Sequence, residues 1–186
     1  IIVGLTTFLG QYILLFAAMK LGMPAGLSSV TLQLQVFLTI LLSIVLLGER
    51  PKPRQIIGGA IALAGLATIA STVGQGTSIP GIAMLFIILS AASWAVGNFT
   101  VKLAGPAAGF GTLSGVAWAS LVPILPAFAL SLGFEGWDAW QVSWQTVRPI
   151  SLAALGFTVV FSTWAGFMMW GKLLSTYSAS VAAPFA

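Results

Sequence analysis

Apolar residues along this chain gather into runs of about twenty, separated by short polar or Pro- and Gly-bearing breaks, which is the spacing of helices that cross roughly 30 Å of hydrocarbon. Residues 1–20 make the first run, and a Gly-Met-Pro-Ala-Gly turn at 22–26 leads into a second at 26–48. Pro24 suits the start of that helix, because proline has no N–H to leave unpaired. The charged stretch Glu49-Arg50-Pro51-Lys52-Pro53-Arg54 is the strongest break, since its prolines forbid a continuous helix. A third span is expected over 55–73. A polar, Gly-rich stretch at 74–78 and Pro80 open a fourth over 80–102, which Gly105-Pro106 close. The fifth, over 111–132, contains Pro123 and Pro126 and should be kinked. Residues 133–148, with Trp137, Trp140 and Trp144, read as an interfacial loop carrying an aromatic belt. A sixth span follows over 149–174, and a seventh starts near Tyr177. The runs do not alternate with period two, as strands of a closed membrane barrel would.

Composition supports this reading. The chain is 59% hydrophobic and 5% charged, with a mean hydropathy of +1.07, whereas soluble domains carry about 25% charged residues. An all-α polytopic membrane protein is therefore expected, with the lipid bilayer as its principal surroundings. The seven Lys and Arg are scattered over loops and helix ends, so no nucleic-acid-binding stripe forms. Counted by alternate ends, Arg50, Lys52, Arg54, Lys102 and Lys172 fall on one side, and Lys20 and Arg148 on the other with Glu135 and Asp138. The positive-inside rule makes the first side cytoplasmic. With neither Cys nor His, a thiol nucleophile, a Ser-His dyad and the usual zinc site are all unavailable. No enzyme activity, metal or cofactor is expected. The acids Glu49, Glu135 and Asp138 all lie in loops or at helix ends, so no mid-span carboxylate is available to relay protons.

Many transporters are built from inverted repeats. A shift of 156 − 4 = 152 pairs Gly4 with Gly156, Thr6 with Thr158, Lys20 with Lys172, Leu21 with Leu173 and Ser28 with Ser180. Identity this sparse carries little weight. The matching lysine that ends each helix carries more, since it lies outside in one copy and inside in the other. The chain begins and ends inside apolar runs and is expected to be part of a longer protein.

A helix bundle that moves a polar solute through a bilayer needs a midplane cavity lined by neutral hydrogen-bonding groups and aromatic walls. On the second span Ser28, Thr31, Gln35, Thr39 and Ser43 recur every three or four residues and share one face. Gln33 lies off that stripe. Both glutamines are candidate binding residues, because an amide, unlike a hydroxyl, cannot satisfy itself on its own helix. The alternative is packing glue between helices. Ser90, Trp94, Asn98 and Lys102 share a face of the fourth span, with Trp94 and Asn98 too deep for an interfacial belt and Lys102 expected to snorkel to the surface. Gln11 and Tyr12 are mid-helix candidates. Trp118 is a weaker one, as are Trp164 and Trp170, since tryptophan near a helix end is more often an interface anchor. Gly58, Ala62 and Gly65 read as a helix-packing stripe.

Three stretches carry a family resemblance: Gly22-Met23-Pro24-Ala25-Gly26-Leu27 with Leu32-Gln33-Leu34-Gln35, the helix ending Leu47-Gly48-Glu49-Arg50, and Ser93-Trp94-Ala95-Val96-Gly97-Asn98. Through them the chain resembles the EamA-type family of the drug/metabolite transporter superfamily, whose members have ten helices in two five-helix inverted repeats. The resemblance implies that residues 1–73 are helices three to five and residues 80–186 are helices six to eight with part of nine. It implies a multi-pass protein of the bacterial inner membrane that exports small metabolites by alternating access. Within the family the stretches are most similar to exporters of cysteine and its precursor O-acetylserine. Export of aromatic amino acids, drugs or quaternary amines on the same fold is the alternative, and a non-transporting membrane scaffold is another. The partner is then a small-molecule substrate, and the full-length protein is expected to act as a monomer.

Overall fold

A computed structural model describes residues 1–73, 79–104 and 113–182. All regular structure among the described residues is helical. In chain order the helices are α1 (residues 2–20), α2 (Ala25–Leu47), α3 (Pro53–Val73), α4 (Gly81–Ala104), α5 (Leu113–Leu121), α6 (Ile124–Gln145), α7 (Pro149–Thr176) and α8 (Ala179–Ala182). Four stretches are long and apolar enough to cross a bilayer: Ala25–Leu47, Gly81–Ala104, Ala117–Gln145 and Pro149–Thr176. The expected first and third spans form as helices α1 and α3, the latter with a shorter apolar stretch at Ile56–Ile69. The polar stretch at 74–78, the Gly105-Pro106 stop and residues 183–186 of the expected seventh span lie outside the described residues.

Local chemistry sets the ends. Pro24, in extended conformation, begins α2, and its carbonyl accepts from the Ser28 amide. Gly48 ends α2 at φ +66°, and its amide and that of Glu49 turn back to the carbonyls of Ile44 and Ser43. A glycine is favoured there because L side chains rarely adopt that left-handed backbone.

The second span forms over Ala25–Leu47, with Gln33 as a single turn residue between Ala25–Leu32 and Leu34–Leu47. One expectation needs correction. Residues 133–148 are not a loop. They are largely helical, and the chain reverses at Gly136, whose φ of 79° and ψ of 169° suit glycine alone. In a straight helix Phe128 and Trp140 would be about 18 Å apart along the axis. Their rings instead meet edge-on at 4.4 Å, and the Trp140 indole donates to Ser131 Oγ at 3.1 Å. Polar composition and tryptophans mark an interface, but they do not distinguish a loop from a helix folded back along its neighbour. The expected kink in the fifth span is present as a break between Leu121 and Ile124, at Pro123.

Helix α4 is the axis of packing. Its buried Ala83, Ile87 and Ala91 meet Ala18 of α1 and Met23, Leu27 and Leu32 around α2. It approaches α1 closely, because a Cβ on Gly97 would collide with the Thr7 hydroxyl and one on Gly10 would lie 2.7 Å from Ser93 Oγ. Along this seam Ser93 donates to the Thr6 carbonyl at 2.9 Å and Ser90 to the Gln11 carbonyl at 2.7 Å. The seam coincides with a π-helical segment of α1, Gly4–Gly10. A second π-segment, Thr158–Ala165, lies in α7. Such segments are rare and usually short.

Candidate functional site

Five polar residues of the α2 stripe, Ser28, Thr31, Gln35, Thr39 and Ser43, are all buried, while Leu41, Ile44, Val45 and Leu46 on the same helix are exposed. The helix therefore turns its polar face inward. A bundle in lipid is stable that way round, because acyl chains solvate the aliphatic side chains and cannot bond the amides and hydroxyls.

Helix α4 presents Asn98, 2% exposed, to the fully buried Gln35. Asn98 Nδ2 donates to Gln35 Oε1 at 3.0 Å and lies 3.5 Å from Thr39 Oγ1. From the other side Trp170 of α7 donates its indole N–H to Asn98 Oδ1 at 2.8 Å. One amide thus ties three helices together at a point with no charged side chain in the network. Gln35 Nε2, Ser28 Oγ and Ser43 Oγ are buried without a hydrogen-bond partner.

The other candidates from the sequence separate. Trp94, one turn before Asn98, is half-buried against the apolar cluster of α1, α2 and α4. Gln11 is buried on α1, where its carbonyl receives Ser90. Gln33 is exposed and lines a different space, a cavity of about 700 Å³ between α2 and α3. Tyr12 is 42% exposed and stacks on Phe16. Trp118, 72% exposed, stands on α5. Gly58, Ala62 and Gly65 line the same cavity as Gln33 instead of packing against a helix. Gly58 and Gly65 have open space where a Cβ would sit. Lys102 does not snorkel free. Its ammonium donates to the carbonyls of Leu174 and Tyr177 at the end of α7, where a cation complements the helix dipole.

Sequence reasoning undervalued Trp170. It sits two residues before Lys172, where an interfacial anchor is the ordinary reading, and no spacing on its own helix distinguishes it. Its partner is 72 residues away.

Comparison with known proteins gives a consistent picture. Residues 1–71 match the EamA-like transporter family. Over 182 residues, 97% of this chain, the sequence is 35% identical to a Salmonella typhimurium protein named "Probable amino-acid metabolite efflux pump". It is 34% identical over the same length to an Escherichia coli protein of the same name. The chain spans 61% of the length of each of these relatives. No solved structure matches.

Proposed function

We propose, from the match of residues 1–71 to the EamA-like transporter family, that the full-length protein exports small metabolites across the bacterial inner membrane. Amino acids and close derivatives such as cysteine and O-acetylserine are the substrates. The observation that carries this reading is the buried, uncharged amide pair Gln35–Asn98, with Thr39 and Trp170 around it. A permanent ion at that depth would be costly and would hold its ligand too firmly to release it. Neutral amides exchange hydrogen bonds at little net cost, which suits a site that must open to both sides in turn.

Residues 1–73 and 80–186 are the two halves, related as inverted repeats, and Asn98–Gln35 spans the boundary between them. The π-segments Gly4–Gly10 and Thr158–Ala165 support the duplication, because they overlap under the 152-residue shift that pairs Lys20 with Lys172. The contact of Lys102 with the end of α7 supports a shared cytoplasmic side for Lys102 and Lys172. Rocking of the halves opens the space beside the hydrogen-bonded Gln35–Asn98 pair to each side in turn, and the substrate binds there. Gln35 and Asn98 are the central binding residues, with Trp94 and Gln11 in the adjoining wall. Gln33, Tyr12 and Trp118 act at the periphery of the path. Movement is by uniport or exchange, in keeping with the position of all three acids near breaks in the spans.

Full-length protein in proteoliposomes should carry labelled O-acetylserine and cysteine. Gln35→Ala and Asn98→Ala should each slow transport at least about tenfold, the equivalent of ~1.4 kcal/mol. Unchanged transport by both variants would remove the site, and strict dependence on a proton gradient would rule out uniport and exchange.

A further inference from the structure

The hydrogen-bond relay through Asn98 has a direction, and the direction leaves one group over. An indole N–H can only donate, so Trp170 fixes Asn98 with Oδ1 toward the indole, at 2.8 Å. Asn98 Nδ2 must then point the other way, where it meets Gln35 at 3.0 Å. Gln35 can receive it only through Oε1, which leaves Gln35 Nε2 as the free end. Turning either amide over would set donor against donor. The orientation of amides is normally a matter of choosing the better network, and here the tryptophan removes the choice. Gln35 is fully buried, and Nε2 has no partner, so the interior holds an unanswered donor of known polarity. Buried donors are seldom left that way without a ligand or a water.

The geometry points to Gln35 Nε2 as the anchor for a hydrogen-bond acceptor on the transported solute, namely the carboxylate of a small amino acid. This assignment rests on the export reading above and names the end of the substrate that the site holds. An ionised carboxylate only accepts, and its bonds from N–H groups are shorter and stronger than those of neutral acceptors. Among the described residues no carboxylate accepts from Gln35 Nε2, and Glu49, Glu135 and Asp138 fall at a helix end or beside the Gly136 reversal. An ammonium group, a donor three times over, is the wrong partner for this amide. The other two unpartnered groups, Ser28 Oγ and Ser43 Oγ, lie seven residues before and eight after Gln35, about 10–12 Å along the helix. That is too far to share a small ligand with Gln35, so they mark successive stations on the same inward face.

The test compares serine with ethanolamine, which is serine without its carboxylate. Each is titrated against full-length protein in detergent for ligand-induced thermal stabilisation, and against labelled O-acetylserine in proteoliposome counterflow. Serine should act at a concentration at least tenfold lower than ethanolamine, and Gln35→Met should bring that ratio close to one. Trp170→Phe, which frees Asn98 to turn over, should lower the ratio part of the way. A wild-type ratio near one, or a preference for ethanolamine, overturns the assignment. So does an unchanged ratio in a folded Gln35→Met protein. If that variant does not fold, the wild-type and Trp170→Phe ratios decide. Stabilisation that favours serine in a protein with no counterflow would sink the export reading and leave the carboxylate anchor standing. Absence of binding by either compound would sink both.

Discussion

Helix α4 and helix α3 are comparably apolar and of similar length, yet they live in opposite surroundings. Ala83, Ile87, Ser90, Ala91, Ala95, Gly97 and Asn98 of α4 are buried, whereas the described side chains of α3 are exposed or at most half-buried. The first part of α7, from Pro149 to Ala165, is likewise without a buried residue. Hydrophobicity does not separate the two. What separates them is small and polar residues set on one face opposite matching partners: Gly97 against Thr7, Ser93 against Thr6, Ser90 against Gln11, and Asn98 against Gln35. Between helices in lipid there is no hydrophobic force, so close approach and hydrogen bonds decide which faces meet. Glycines alone are insufficient, since Gly58 and Gly65 of α3 face open space.

Substitutions along the two helices can break or sharpen that contrast. The largest effect is expected from Gly97→Leu, which drives a side chain into Thr7. It should cost about 3 kcal/mol and be seen as a large fall in the melting temperature of the purified full-length protein. Ile87→Ala opens a cavity at a fully buried position and should cost about 2 kcal/mol, while Leu46→Ala, on an exposed face, should leave the melt nearly unchanged. Equal losses at the two sites would refute the division into packed and lipid-facing surfaces. Lys102→Met removes the cation from the end of α7 and should cost about 0.5–1 kcal/mol. Hydrogen exchange should then quicken at residues 173–177, where the freed carbonyls lie, and not in α1. A small gain is expected from Gly65→Ala, which adds a methyl group in open space and should stabilise by about 0.5 kcal/mol through helix propensity. Marked destabilisation there would mean that α3 packs closely after all.

Much of the central network was legible in the residues. A stripe of hydroxyls and amides every three or four positions picks out the inward face of α2, and the four-residue spacing of Ser90, Trp94, Asn98 and Lys102 picks out one face of α4. Yet those four residues, which share one helix face, serve different neighbours. Ser90 reaches the Gln11 carbonyl, Trp94 an apolar cluster, Asn98 both α2 and α7, and Lys102 the end of α7. Periodicity reports which way a side chain points. It is silent on what stands opposite, since that depends on crossing angles and on contacts 63 to 79 residues apart. The same limit hid the reversal at Gly136, where one backbone angle turns an expected loop into a folded-back helix.

By itself the sequence determined that this is a helical membrane protein, where most of its helices begin and end, which faces turn inward, and which chemistries are unavailable to it. These follow from solvation and backbone rules that act within a few residues. Only the tertiary structure decided that Trp170 sets the polarity of Asn98, that Gln35 is left with an unpaired donor, and that Gln33 looks into another space. Those outcomes depend on which helices lie side by side, and each hydrogen bond in the relay constrains the next only once all three helices are in place.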